Sequence, residues 1–427
     1  MHKPSIIRAI CVSAVVLCCT AFQADAIIDA SLQMQLGNPS SATANTNNHD
    51  HYLIQRTVEA IDYSDNLGEP VWASWDLTAG DVGSASRSST YYTDTNLPPN
   101  FYRVTTTDYN GVGNIDFNRG HLCPSEDRTD NTTDNKLVFF MSNIMPQSAL
   151  NNQGVWGNFE NFCQAQTSTN EMLIICGGSG FGTNKIPSGK VFIPSNTWKI
   201  AVSVPLGSGT ALSRVTATNR VIAISIPNVT NGLSSSWQTY VTSARQIELD
   251  TGFTFFSAVP ANIAAVFRAK VDGSPAPGIT NVSPASGSAG GSVVIKGTNF
   301  SGASVVWFNG TNASFTLNSG NQITATVPAG ATTGPVSVIA PGGLAVSAGN
   351  FTVTPAGKPG FQSISFAGGN VSLTITGAVA TSYTIMAVTN LANTNWVTLL
   401  TTNPAALPFT FVDTNNLPQR FYRVSRQ

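Results

Sequence analysis

The sequence predicts an α+β domain followed by all-β sandwich modules, and two observations carry that reading. From about Tyr52 to Asp272, short strand-like apolar runs are interrupted by one proline-free segment, Asn152 to Ala165, whose apolar residues fall at helical spacing. Beyond a Pro- and Gly-rich stretch at 271–278, the runs alternate apolar with polar, His is absent and Asp413 is the only acid. A length of 427 residues is itself long for one domain.

In chain order, His2, Lys3 and Arg8 precede an apolar run from Ala9 to Phe22 and then Ala24-Asp25-Ala26. This is the layout of a signal peptide over residues 1–26. The run falls short of the roughly 20 apolar residues that span a bilayer. The expectation is a chain with no transmembrane segment, secreted or periplasmic once the signal is removed. Residues 27–50, rich in Asn, Ser and Thr, are expected to form a loose N-terminal segment.

The first domain is placed at 51–275. Tyr52–Ile54, Val71–Leu77 and Phe101–Val104 read as strands, with a turn at Asn66 to Pro70 between the first two. Leu137–Met141, Met172–Cys176, Lys190–Pro194, Trp198–Pro205 and Val221–Ile226 follow as further strands. The glycines from Gly177 to Gly182 read as a turn, because Gly-x-Gly-x-x-Gly is absent. A second domain is placed at 278–355, with strands such as Ser292–Lys296, Ala303–Phe308, Gln322–Val327 and Pro335–Ile339. A C-terminal β module is placed at 359–427, with strands at Val371–Ile375 and Tyr383–Ala387. Its Phe421-Tyr422-Arg423-Val424 echoes Phe101-Tyr102-Arg103-Val104, a match too short to be a repeat.

Charged residues make up 10% of the sequence, against roughly 25% in an average soluble domain. From Ile27 to Ala276, 14 Lys and Arg face 20 Asp and Glu, a net of −6; from Pro277 onward 5 face 1, a net of +4. The first domain therefore lacks the basic balance of a tight, passive nucleic-acid binder, and any phosphate chemistry rests on a few local cations. Outside the signal, Cys123, Cys163 and Cys176 remain. Their odd number leaves at least one free thiol, and Cys163 with Cys176 is the expected pair. No cysteine spacing resembles a zinc site.

The chemistry concentrates between Asn118 and Glu160. Imidazole titrates near neutrality, and outside the signal the only other histidines are His49 and His51, so His121 is the acid or base candidate. A lone histidine is more often structural. With about 100° per residue, Asn152 falls among Trp156, Phe159 and Cys163 on the inward face of the helix, and Glu160 at its edge. Polar groups placed there need partners, and a hydrated metal would supply them.

The whole pattern narrows this. Asn118-Arg119-Gly120-His121, Ser142-Asn143-Ile144-Met145-Pro146-Gln147, Asn152-Gln153-Gly154 and the Trp156 to Glu160 helix together resemble the DNA/RNA non-specific endonucleases of the ββα-metal type. Weaker likeness runs from about Tyr52 to Asp272, including Ile186 to Val191 and Thr251-Gly252-Phe253. The resemblance implies a ββα-metal core and hydrolysis of phosphodiester bonds in DNA or RNA. It implies His121 as general base and Asn152 as the direct protein ligand of Mg2+, or Mn2+, whose other positions hold water. By the same carry-over Glu160 orients that water, Asn143 holds the catalytic segment or a phosphate, and Arg119 contacts the phosphate or braces the loop. Arg87, placed by position alone, stabilises the transition state. The commonest family motif begins with Asp where this chain has Asn118, which removes negative charge near the metal waters.

Residues Ile279 to Val353 resemble the IPT/TIG immunoglobulin-like domains, through Ile279 to Pro284, Gly290 to Ile295 and Gly297-Thr298-Asn299-Phe300. Such modules act as spacers or bind a surface or protein partner, and fold alone does not decide which. The rival expectation is a non-catalytic exported binding protein with a degenerate nuclease domain. No Gly-x-Ser-x-Gly nucleophile elbow points to another hydrolase.

Overall fold

A computed structural model describes residues 32–355, 357–377, 382–392, 395–415 and 417–426. The expected signal segment lies outside them. Long apolar strands need cover on both faces, and the first domain supplies it. Its seven antiparallel strands run in the order β1 (Tyr52–Gln55), β2 (Ala60–Ser64), β3 (Glu69–Leu77), β6 (Asn170–Ser179), β7 (Asn196–Pro205), β8 (Arg220–Pro227) and β9 (Val241–Thr242). Because side chains alternate across a strand, Trp198, Ile200, Val202 and Val204 of β7 enter one core while Ala201 enters the other.

Against the Ala201 face lie a two-stranded hairpin, β4 (Phe117–His121) with β5 (Ile144–Ser148), and helix α2 (Gly157–Gln166). Helix α1 (Thr132–Leu137) sits in the connection between the hairpin's strands. The opposite face is covered by α3 (Ala211–Arg214), α4 (Ala244–Thr251), α5 (Ala261–Ala269) and the N-terminal segment. That segment is not loose over its described part, since Met34, Leu36 and Ala42 are buried there. His49 and His51 are likewise pinned, each by Nδ1, to Asp65 at 2.9 Å and Asp62 at 2.8 Å.

Several expected strands take other forms. Leu137–Met141 spans the end of α1 and the turn after it, and the strand begins only at Ile144. Phe101–Val104 is irregular, and the Tyr102 N–H donates to the Asp65 side chain rather than joining a ladder. Lys190–Pro194 forms only an isolated bridge from Phe192 to Lys185. Gly177 to Ser179 still belong to β6, so the turn starts at Gly180. Strand β2, unforeseen in the sequence, lies between the two strands expected to share a turn.

The expected Cys163–Cys176 bond does not form. All three described cysteines are free and buried; Cys163 packs on α2 in the core, while the Cys176 Sγ points to the Leu122 carbonyl at 3.6 Å.

The second domain packs the sheet Gly278–Ser283, Ser292–Thr298, Gln322–Thr326, Phe315–Ser319 against one containing Gly343–Val353, Gly334–Ala340 and Val305–Phe308. The stretch before it is docked rather than a free tether. Val266 and Ala269 of α5 bury against Ile339, the Val271 N–H donates to the Pro341 carbonyl, and Arg220 pairs with Asp272 at 2.7 Å. The last module has two three-stranded sheets around Leu373, Ile375, Tyr383 and Ile385. Phe421–Arg426 is a strand there, so its echo of Phe101–Val104 has no structural counterpart. Among the described residues no helix is long and apolar enough to cross a membrane.

Candidate active site

The hairpin, the turn that follows it and α2 enclose a cleft of about 640 Å3 lined by Arg87, Arg119, His121, Asn152 and Glu160, among others. Five of the six residues expected from the sequence thus meet. The hairpin register runs from Phe117↔Ser148 to His121↔Ile144, which sets His121 at the strand's end. Gly120 is required beside it, because a Cβ there would lie 2.0 Å from Gln147 Oε1.

The His121 ring packs edge-on to Phe139, with centroids 4.6 Å apart, and against Tyr91 at 5.5 Å. Its Nε2 is buried without a hydrogen-bond partner. Burial, and then the Arg87 guanidinium, push its pKa down to about 3. The imidazole is therefore neutral near pH 7.

Arg87 pairs with Glu126 at 2.6 Å, both side chains about half exposed, and lies over the Phe139 ring. Arg119 donates from Nη2 to the Thr106 carbonyl at 3.1 Å and lies over Tyr91 and Tyr109. Asn143, the sixth expected residue, does not reach the cleft. Fully buried, its carboxamide accepts from the Cys123 N–H and donates to the Cys123 and Val138 carbonyls. It holds the segment after His121, and with its amide hydrogens committed it has none for a phosphate.

The segment from Asn151 to Trp156 is a π-helical turn running directly into α2. Such turns are wider than an α-helix, so an α-helical wheel misplaces its residues. Asn151, not Asn152, takes the inward place, fully buried with its amide on Thr197 Oγ1 at 2.8 Å. Asn152 turns to the cleft, half-buried. Glu160 Oε1 accepts from Lys199 Nζ at 2.9 Å. Burial raises the Glu160 carboxyl above its usual range, and Lys199 works against that rise.

Sequence reasoning missed Lys199 and Asp127. Asp127 also lines the cleft, accepts from Trp75 Nε1 at 3.0 Å, and is pushed up to about 7 by burial, with Glu160 adding to the rise. Lys199 carried a usable signal, the one charge in a largely apolar strand. Asp127 sat in a polar stretch without one.

A divalent cation fits this cleft. The Asn152 carboxamide and Glu160 carboxylate reach it from one helical segment and offer hard oxygen donors. Among the described residues no three His, Cys, Asp or Glu gather as a metal cluster. An ion here would keep mostly water ligands, which suits magnesium.

Residues 36–262 match the DNA/RNA non-specific endonuclease family, and 277–354 match the IPT/TIG domain. A protein named Nuclease from Nostoc sp. (strain PCC 7120 / SAG 25.82 / UTEX 2576) is 38% identical over 242 residues, covering 57% of this chain and 86% of the relative. Nuclease EXOG, mitochondrial, of Xenopus laevis is 26% identical over 210 residues, 46% of this chain and 56% of its own length. Endonuclease G, mitochondrial, of Bos taurus is 29% identical over 111 residues, 26% and 36% respectively.

Proposed function

The chain belongs to the DNA/RNA non-specific endonuclease family, and from that premise we propose that it hydrolyses phosphodiester bonds of DNA and/or RNA with His121 as general base and Mg2+, or Mn2+, held by Asn152. The observation that carries this reading is one cleft shared by a buried, unpartnered imidazole nitrogen and the oxygen donors of Asn152 and Glu160. A neutral His121 takes the proton of a water as it attacks phosphorus. A bound Mg2+ would stabilise the charge developing on the phosphate and the leaving oxygen.

The remaining residues bind and orient. Arg87 rests on the Phe139 ring and its ion pair is half exposed, so a phosphate can draw it from Glu126. Arg119, fixed by Thr106 and two tyrosine rings, braces the His121 strand from the cleft wall. Glu160 orients water, and Asn143 keeps the loop behind His121 in place. The chain is proposed to act outside the cytoplasm, secreted or periplasmic after removal of residues 1–26. The β modules are proposed to bind a surface or a protein partner.

The test is degradation of plasmid DNA and of RNA with Mg2+ or chelator, for wild type, His121→Ala and Asn152→Ala. Cleavage in Mg2+, its loss in chelator and its loss in both variants are expected. Undiminished cleavage in chelator, or by His121→Ala, would sink the mechanism.

A further inference from the structure

Charge at the cleft extends one layer beneath its lining. Lys199 belongs to β7 but points away from Trp198 and Ile200, toward α2. Its side chain is 1% exposed, with Nζ 2.9 Å from Glu160 Oε1. The ammonium also stands 4.1 Å from the Trp156 ring centroid and 5.4 Å from that of Trp75. Trp156 ends the π-helical turn that carries Asn152, and Trp75 Nε1 holds the Asp127 carboxyl. One buried cation thus touches the supports of three residues that face the cleft.

Fold stability does not call for a lysine at this place. Buried ion pairs are often replaced by apolar side chains without loss, and the same strand face carries Ala201 in the core. What an ion pair on a rigid central strand does specify is direction. Without Lys199, Glu160 Oε1 would lack its donor and the carboxylate would be free to leave the orientation it holds toward the cleft.

We propose that Lys199 is a positioning residue for phosphodiester cleavage: from the sheet it fixes the Glu160 carboxylate in the arrangement that receives the divalent ion. The proposal rests on the function read above. Lys199 does not line the cleft and touches no substrate, so it acts only through Glu160.

The experiment compares wild type, Lys199→Met, Glu160→Gln and the double variant, with kcat and KM measured on plasmid DNA in Mg2+ and Mn2+ binding followed by electron paramagnetic resonance. Loss of such an outer support costs about 10- to 100-fold in metal affinity or activity. Lys199→Met is expected to lose kcat and Mn2+ affinity in that range with KM for DNA unchanged, and the double variant to match Glu160→Gln. Wild-type kcat and Mn2+ affinity in Lys199→Met would overturn the proposal. So would a double variant that falls as many-fold below Glu160→Gln as Lys199→Met falls below wild type. Should Lys199→Met fail to fold, the comparison of the double variant with Glu160→Gln decides alone, since the double variant leaves neither partner of the pair charged. A wild type inactive in Mg2+ would sink the functional premise, whereas an active wild type with a silent Lys199→Met sinks this inference alone.

Discussion

Gly120→Ala is the smallest change that tests how tightly the hairpin holds its histidine. Gly120 does not have a left-handed backbone, so alanine meets no conformational objection. The obstacle is contact: the new Cβ would lie 2.0 Å from Gln147 Oε1, 2.4 Å from its Cδ and 2.6 Å from its Cγ. Gln147 is fully buried and neither of its carboxamide atoms has a partner. No hydrogen bond keeps it there, but it is fully enclosed by protein.

Overpacking of this kind costs about 1–3 kcal/mol, and each kcal/mol lowers Tm by roughly 2–4 °C in a domain of 150–250 residues. His121 is the next residue, so relief by strand movement displaces the base. A shift of about 1 Å can cost on the order of 100-fold in rate. Thermal unfolding and the rate of plasmid cleavage read the two effects separately. Gln147→Ala removes the obstructing atoms along with an unsatisfied carboxamide, so Gly120→Ala/Gln147→Ala should recover most of both losses. A Gly120→Ala variant with wild-type Tm and rate, or a double variant no better than it, would refute the reasoning.

Further outcomes follow from neighbouring residues. With His121 held near 3, the acid limb of kcat/KM should lie far below the usual histidine value of about 6.5. Arg87→Met removes the cation that helps depress it, so the limb should move upward but only partly, burial being the larger cause; a pH–rate profile with an unmoved limb contradicts this. Asn118→Asp adds a carboxylate to the cleft wall and should lower the Mg2+ concentration that gives half-maximal cleavage, read from a metal titration. With every described cysteine free, dithiothreitol should leave Tm unchanged, and any fall points to a disulfide. Ile339→Ala hollows the contact with α5; large-to-small changes of this type cost about 2–5 kcal/mol, and limited proteolysis should then cut within 270–278 where wild type resists.

The parts of the site legible in the sequence are those carried by local order along the chain. Asn118 to His121 share one strand and Asn152 to Glu160 one continuous helical run, so each set is close along the chain, although the α-helical wheel turned Asn152 inward. For Asn143 the sequence left two roles open, the catalytic segment or a phosphate, and its three bonds to Cys123 and Val138 in the folded loop commit it to the segment. Lys199 and Glu160 are 39 residues apart, and only the sheet's packing against α2 brings them together. Composition misled at 32–50, where Asn, Ser and Thr hide the few residues that bury. At β2 the strand hid for a different reason: Asp62 looks like a surface charge, yet it is fully buried, accepting from Ser40 and paired with His51.

The acidic balance of the nuclease domain looks at odds with a polyanionic substrate, and the cleft resolves it. Its lining cations are Arg87 and Arg119. Arg119 is held by Thr106 and two tyrosine rings, though its Nε is without a partner, and the exposed pair of Arg87 with Glu126 is weak enough to exchange for a phosphate. Each neutralised phosphate contributes about −0.9 to the slope of log K against log salt on duplex DNA, so one or two contacts give shallow salt dependence and little grip beyond the scissile bond. A −6 domain whose cleft sets Arg87 and Arg119 among the carboxyls of Glu126, Asp127 and Glu160 therefore grips the backbone weakly. That arrangement suits an enzyme that has no sequence to read and must release each product to meet the next bond.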